Sequence, residues 1–156
     1  MKRLKDIKYN YYKTASYMAY MRGEEFLEAT EAILSQKSHK LIAPVVNAAF
    51  SCESFLKALI IWQDKKETPI ITHKLKELFG MLDSAVRSEI IQRMNISYWD
   101  VFIDAIDNSF DDWRYLSEAG EIRMVNKENL LNFARVLKYY YESNHSLEQA
   151  VAEEKI

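Results

Sequence analysis

A chain of 156 residues with a formal net charge of −2 suits a single domain and lacks the surplus of basic charge on which general nucleic-acid binding depends. Its three glycines and two prolines are too few for a β-rich architecture full of tight turns. Its one cysteine, Cys52, allows no intramolecular disulfide and no cysteine-rich zinc site.

Chain order gives a run of helical patterns. Over Lys13 to Ser35, Ala15, Met18, Ala19, Phe26, Leu27, Thr30, Ile33 and Leu34 recur at helical spacing, with Gly23 as a weak point inside. Tyr9, Tyr11 and Tyr12 precede this helix and either extend it or pack as an arm. A polar connection, Gln36 to Ala43, leads to a second helix predicted to start at Pro44 and to end near Gln63. Asp64 to Ile71 reads as a charged, solvated loop. Thr72-His73-Lys74 then opens a short helix with Thr72 as its cap and Leu75, Leu78, Phe79 and Leu82 inward. Gly80 marks an early bend. A further short helix runs from Asp83 or Ser84 to Met94 with Val86, Ile90 and Ile91 inward. Ser97-Tyr-Trp-Asp100 has the form of a capping box for a helix burying Trp99, Phe102 and Ile106.

The stretch from Asn108 to Asn126 is irregular but aromatic, which predicts packing rather than looseness. Glu128 to Glu142 is the last long helix, with Leu130, Leu131, Phe133, Ala134, Leu137, Tyr140 and Tyr141 inward. Tyr139, Tyr140 and Tyr141 take successive helical directions, so at least one faces outward and hints at an interface. The tail from Ser146 to Ile156 continues that helix or frays. No linker or repeat divides the chain, and residues 1–156 are read as one all-α up-and-down bundle of two or three long helices plus short ones. The charged N-terminus has no signal-peptide core, and no run is read as approaching the length of a bilayer span, so a cytoplasmic location without membrane association is expected.

The second helix is apolar nearly all round, yet it carries Asn47, Glu53 and Lys57. A buried carboxylate costs several kcal/mol unless it is paired, so Glu53 calls for a cation. Arg114 is the expected partner because its guanidinium can satisfy both carboxylate oxygens. Lys57, Tyr115 and Glu118 belong to the same candidate constellation, which acts either as a clip pinning the loop to the second helix or as a polar pocket for a nucleotide, phosphate or RNA end. His73 and Lys74 at a helix start suggest an anion site on free amides, against the plainer reading of a packed, hydrogen-bonded histidine. No His-x-x-x-His or carboxylate–histidine spacing points to a metal, and no cofactor is expected.

Three blocks together resemble HEPN-domain proteins: Ala48-Ala-Phe-Ser-Cys-Glu-Ser-Phe-Leu-Lys-Ala-Leu-Ile60, His73-Lys-Leu-Lys-Glu-Leu-Phe79, and Phe110-Asp-Asp-Trp-Arg-Tyr-Leu-Ser-Glu118. The resemblance spans Ala15 to Tyr141. It implies a helical bundle, often homodimeric, working in toxin–antitoxin pairs, defence or RNA processing, with an antitoxin or a nucleotidyltransferase-type protein as partner. Catalytic members are metal-independent ribonucleases with an arginine four to six residues before a histidine. In such a pair the histidine moves the 2′-hydroxyl proton and the arginine stabilises the phosphorane charge.

This chain departs from that signature. Ahead of His39 stand Ala32, Ile33 and Leu34; ahead of His73, Lys66, Glu67 and Thr68; ahead of His145, Lys138, Tyr139 and Tyr140. None is arginine, and Lys138 lacks the planar fork that grips phosphate. The expectation is therefore a non-catalytic or degenerate HEPN-like module that binds a protein, a nucleotide or RNA. The alternatives are a ribonuclease with an atypical site, for which His73 and Arg114 are the candidates, and a structural homodimer without a ligand.

Overall fold

The computed structural model describes residues 8, 11–36, 42–107 and 126–145. These form an all-α bundle with no strand among the described residues: α1 (Tyr12–Ser35), α2 (Ile42–Asp64), α3 (Leu75–Gly80), α4 (Ser84–Met94), α5 (Trp99–Ile106) and α6 (Lys127–Asn144). Three helices are long and three short, as the hydrophobic periodicity indicates.

Helix α2 is the axis, packed against α1, α3 and α6. Fourteen of its 23 residues are buried, which accounts for its lack of a polar face. It also corrects one reading of the sequence. An 18-residue window of α2 has a mean hydropathy of 1.4, so by length and composition the helix is able to cross a membrane. In this fold 72% of that window is buried by neighbouring helices instead.

Two devices hold α1, α2 and α6 together. Ser16 Oγ donates to the Ala58 carbonyl at 2.7 Å and lies 2.9 Å from the Tyr141 hydroxyl, joining the three helices at one buried point. The Tyr20 ring stacks on Tyr141 with centroids 4.7 Å apart, and its hydroxyl bonds Glu142. Further along α1, Gly23 is a packing notch rather than a weak point. An ideal Cβ there would stand 2.6 Å from the Phe55 ring, and the Gly23 carbonyl accepts a 2.8 Å bond from Ser51 Oγ. At the other end of the bundle, Phe79, Trp99, Phe102 and Phe133 form an aromatic cluster from α3, α5 and α6.

Several boundaries differ from the sequence reading for tertiary reasons. Helix α2 begins at Ile42, so Pro44 sits within its first turn. Helix α3 begins at Leu75, not Thr72, because its first amides are met from outside: Leu75 N donates to the Asp107 carbonyl at 3.4 Å and Lys76 N to Asp107 Oδ1 at 2.8 Å. Thr72 instead accepts from Lys74 N and donates to Glu77. Ser97 is not a cap, since α5 starts at Trp99 after Tyr98 without a side-chain cap. Asn126 does cap α6, accepting from Asn129 N at 3.1 Å. The interior of the 108–126 stretch and the tail from 146 lie outside the described residues.

Candidate functional site

Glu53 faces out of the core of α2 with only 7% of its surface exposed. Its Oε1 accepts from Lys57 Nζ, one turn further along the helix, at 2.8 Å. The same oxygen stands 2.8 Å from His73 Nδ1, at the end of the connection after α2. An ionised Glu53 places the Nδ1 proton on that contact and leaves His73 Nε2 free for another partner. The Glu53 and Lys57 side chains are 10% and 15% exposed, whereas that of His73 is 61% exposed. The first two thus form a nearly desolvated pair, and the histidine is a rim group. Among the described residues, Oε2 of Glu53 has no hydrogen-bond donor.

Beside this cluster opens a cavity of about 710 Å³, within the ordinary range of small-molecule sites. Helix α1 contributes Thr14, Ala15, Met18, Arg22 and Phe26 to its wall; α2 contributes Phe50, Glu53, Ser54, Lys57 and Ile61; residues 69–71 and His73 close another side. Lys8 and Tyr11 also line it. Among the described residues the wall carries Lys8, Arg22 and Lys57 against the one carboxylate of Glu53, with His73 at the rim, so this part of the wall is net basic in a chain whose net charge is −2. Arg22 is exposed and has no ion-pair partner among the described residues. Phe26 and Phe50 stack across α1 and α2 with centroids 4.9 Å apart and planes 18° from parallel.

Of the residues singled out from the sequence, the fold thus brings Glu53, Lys57 and His73 together. Lys74 is exposed at the start of α3 and does not line the cavity. Arg114, Tyr115 and Glu118 lie outside the described residues, as does His39. The anion site expected on the amides behind His73 is corrected, because Asp107 already occupies the first amides of α3. Arg22, Phe26 and Phe50 enter the site without having been singled out. A signal for Arg22 was present: it falls on the same helical stripe as Ala15, Met18, Ala19 and Phe26, and a cation inside an apolar stripe faces something other than plain solvent.

The other chemistry-bearing groups are differently placed. His145 packs against Trp62 and Tyr141 with ring centroids at 4.5 and 4.9 Å, and its Nδ1 is buried without a partner. Burial lowers its pKa to about 4, which leaves it a weak proton acceptor near neutrality. Lys138, the lysine spaced to serve His145, bonds Glu24 at 3.0 Å and lies 3.8 Å from Glu142. Burial pushes the Cys52 thiol far above its usual range, and its Sγ donates to the Leu130 carbonyl at 3.6 Å. Tyr139 is the outward member of its trio, 53% exposed, with the Arg93 guanidinium 4.7 Å over its ring. Among the described residues, no group of three His, Cys, Asp or Glu side chains is placed to hold a metal ion.

No family model, curated protein or solved structure matches this chain.

Proposed function

We propose that this chain is a HEPN-like helical binding module whose α1–α2 cavity takes a phosphate-bearing ligand, a nucleotide or an RNA end. The observation that carries the reading is the concentration of Lys8, Arg22, Lys57 and His73 around one cavity that also holds a stacked aromatic pair. Arg22 offers a planar fork suited to two phosphate oxygens, and no described carboxylate competes for it. A phenyl face at the cavity wall supplies stacking worth about 1–3 kcal/mol per base without demanding a sequence. The concave shape suits a small ligand better than a flat protein epitope. The toxin–antitoxin or defence setting and the homodimer belong to the same proposal and are supported by the three HEPN-like blocks.

The test is calorimetric titration of the full chain with the four ribonucleoside monophosphates and a short single-stranded oligoribonucleotide. Binding that weakens with salt is expected, as is at least a tenfold loss in Arg22→Ala with the circular dichroism spectrum unchanged. No heat and no competition with any of these ligands would overturn the reading.

One observation favours a second reading, a metal-independent ribonuclease with an atypical site. A carboxylate 2.8 Å from a histidine Nδ1 orients the ring, the arrangement in which Nε2 serves as an acid or base. Cleavage of RNA by the parent that disappears in His73→Ala, with folding intact, would promote this reading over simple binding.

A further inference from the structure

Resting on the proposal that the cavity takes a phosphate-bearing ligand, we infer that its occupant is an RNA end of about two to four nucleotides laid along the α1–α2 groove, rather than a single nucleotide. The residues that line the cavity fall in two stripes. On the α1 side the stripe runs from Tyr11 through Ala15, Met18 and Arg22 to Phe26, at the three- and four-residue steps of one helix face. On α2 it runs from Phe50 through Ser54 and Lys57 to Ile61. The two helices are antiparallel, since Gly23 pairs with Ser51 and Ser16 with Ala58. Phe26 and Phe50 therefore mark one end of the cavity, and the level of Tyr12 against Trp62 marks the other. At the helical rise the α2 stripe is about 16 Å long and the α1 stripe about 22 Å. The site is a groove that follows the helix pair for several turns.

Its chemistry is spread along that length. The stacked pair of Phe26 and Phe50 stands at one end, with Arg22 one turn from Phe26. Tyr11 stands at the other end with half of its surface exposed. Lys8 also lines the cavity and is tethered to that end by the three residues between it and Tyr11. Midway, Lys57 Nζ bonds Glu53 at 2.8 Å and offsets its charge where a backbone would pass. A mononucleotide has one base and one phosphate and reaches one end only. A strand advances about 3.4 Å per nucleotide when its bases stack, and further when they are drawn apart to meet separate rings. A short strand thus sets one base against Phe26 or Phe50 and another against Tyr11, with cations near each end for its successive phosphates.

The experiment is titration of the full-length protein, at one fixed salt concentration, with CMP and with 5′-phosphorylated oligocytidylates of two, four and eight nucleotides. The tetramer is expected to bind at least about tenfold more tightly than CMP, as stacking of a further base would give. No comparable gain is expected from four nucleotides to eight. Tyr11→Ala is expected to remove most of the tetramer's advantage over CMP. Equal affinity for CMP and the tetramer would overturn this inference while leaving nucleotide binding intact. An affinity that climbs as steeply from four to eight as from one to four would also overturn it, because the strand would then be held by surface charge beyond the groove. Absence of binding by every member of the series would overturn both this inference and the binding proposal. The length series is read on the parent protein, so it decides the question even where Tyr11→Ala does not fold.

Discussion

Replacing Gly23 with alanine tests the packing on which the cavity wall depends. An added Cβ would meet three atoms of the Phe55 ring at 2.6, 2.6 and 3.0 Å, well inside van der Waals contact. Phe55 has no exposed surface and sits against Tyr20, so its ring has no open side to swing into. Relief must come from moving α1 off α2, which also stretches the bond from Ser51 to the Gly23 carbonyl. Overpacking of this kind costs about 1–3 kcal/mol. The gain in helix propensity from glycine to alanine offsets about 1 kcal/mol. A net loss of up to about 2 kcal/mol follows, or up to roughly 8 °C in melting temperature for a chain of this size. Gly80 is the internal control, since it ends α3 and a Cβ there meets nothing within 4 Å. Gly80→Ala is expected to be neutral or to stabilise by about 0.5 kcal/mol. Urea unfolding followed by circular dichroism reads both variants. If Gly23→Ala were as stable as Gly80→Ala, the close approach of α1 and α2 would be refuted. Phe55→Leu in the Gly23→Ala background should recover part of the loss, which a propensity effect alone would not produce.

Glu53→Ala leaves the Lys57 ammonium largely desolvated without its carboxylate and is expected to cost about 2 kcal/mol in urea unfolding, below the full value for a buried pair because Lys57 reaches the cavity. Glu53→Leu with Lys57→Met removes both charges and should restore most of that stability; a further loss would contradict the pairing. His145 is held below its ordinary pKa, so the unfolded chain takes up its proton first as pH falls from about 6.5 towards 4. Stability present above pH 6.5 is therefore lost across that window, by about 1–2 kcal/mol between pH 7.5 and 5, and His145→Phe should flatten this part of the profile. A stability that rises on acidification through the same range would refute the buried neutral ring. Cys52 is fully buried, so a thiol reagent should label it only as fast as the protein unfolds; immediate labelling under native conditions would contradict its position.

Much of the fold was legible in the sequence because the burial of helical faces, which organises it, follows a local pattern. The seven inward positions predicted for α6 are all buried, and so are Leu75, Leu78, Phe79 and Leu82 around α3. Glu53 was conspicuous for the same reason: a lone carboxylate in a helix with no polar face. What stayed illegible is set by residues distant in sequence. The start of α3 is fixed by Asp107, 31 residues after the amide of Lys76 that it accepts from. His73 reaches Glu53 from 20 residues away. Gly23 has the look of a propensity defect in the sequence, and only the fold puts Phe55 in its notch. Arg22 was easily passed over because an exposed arginine on a helix is usually solvated, and its place in an apolar stripe gains meaning only beside the cavity that it lines.

The most direct test of the central claim is to follow the backbone amide resonances of the isotope-labelled chain while a nucleotide is added, with the monophosphates CMP and AMP used in turn. The account predicts shift changes concentrated at Met18 to Phe26 of α1, Phe50 to Lys57 of α2 and Ile70 to His73, which weaken in Arg22→Ala. Shift changes confined to the outward face of α6 around Tyr139, or none at saturating ligand, would contradict it.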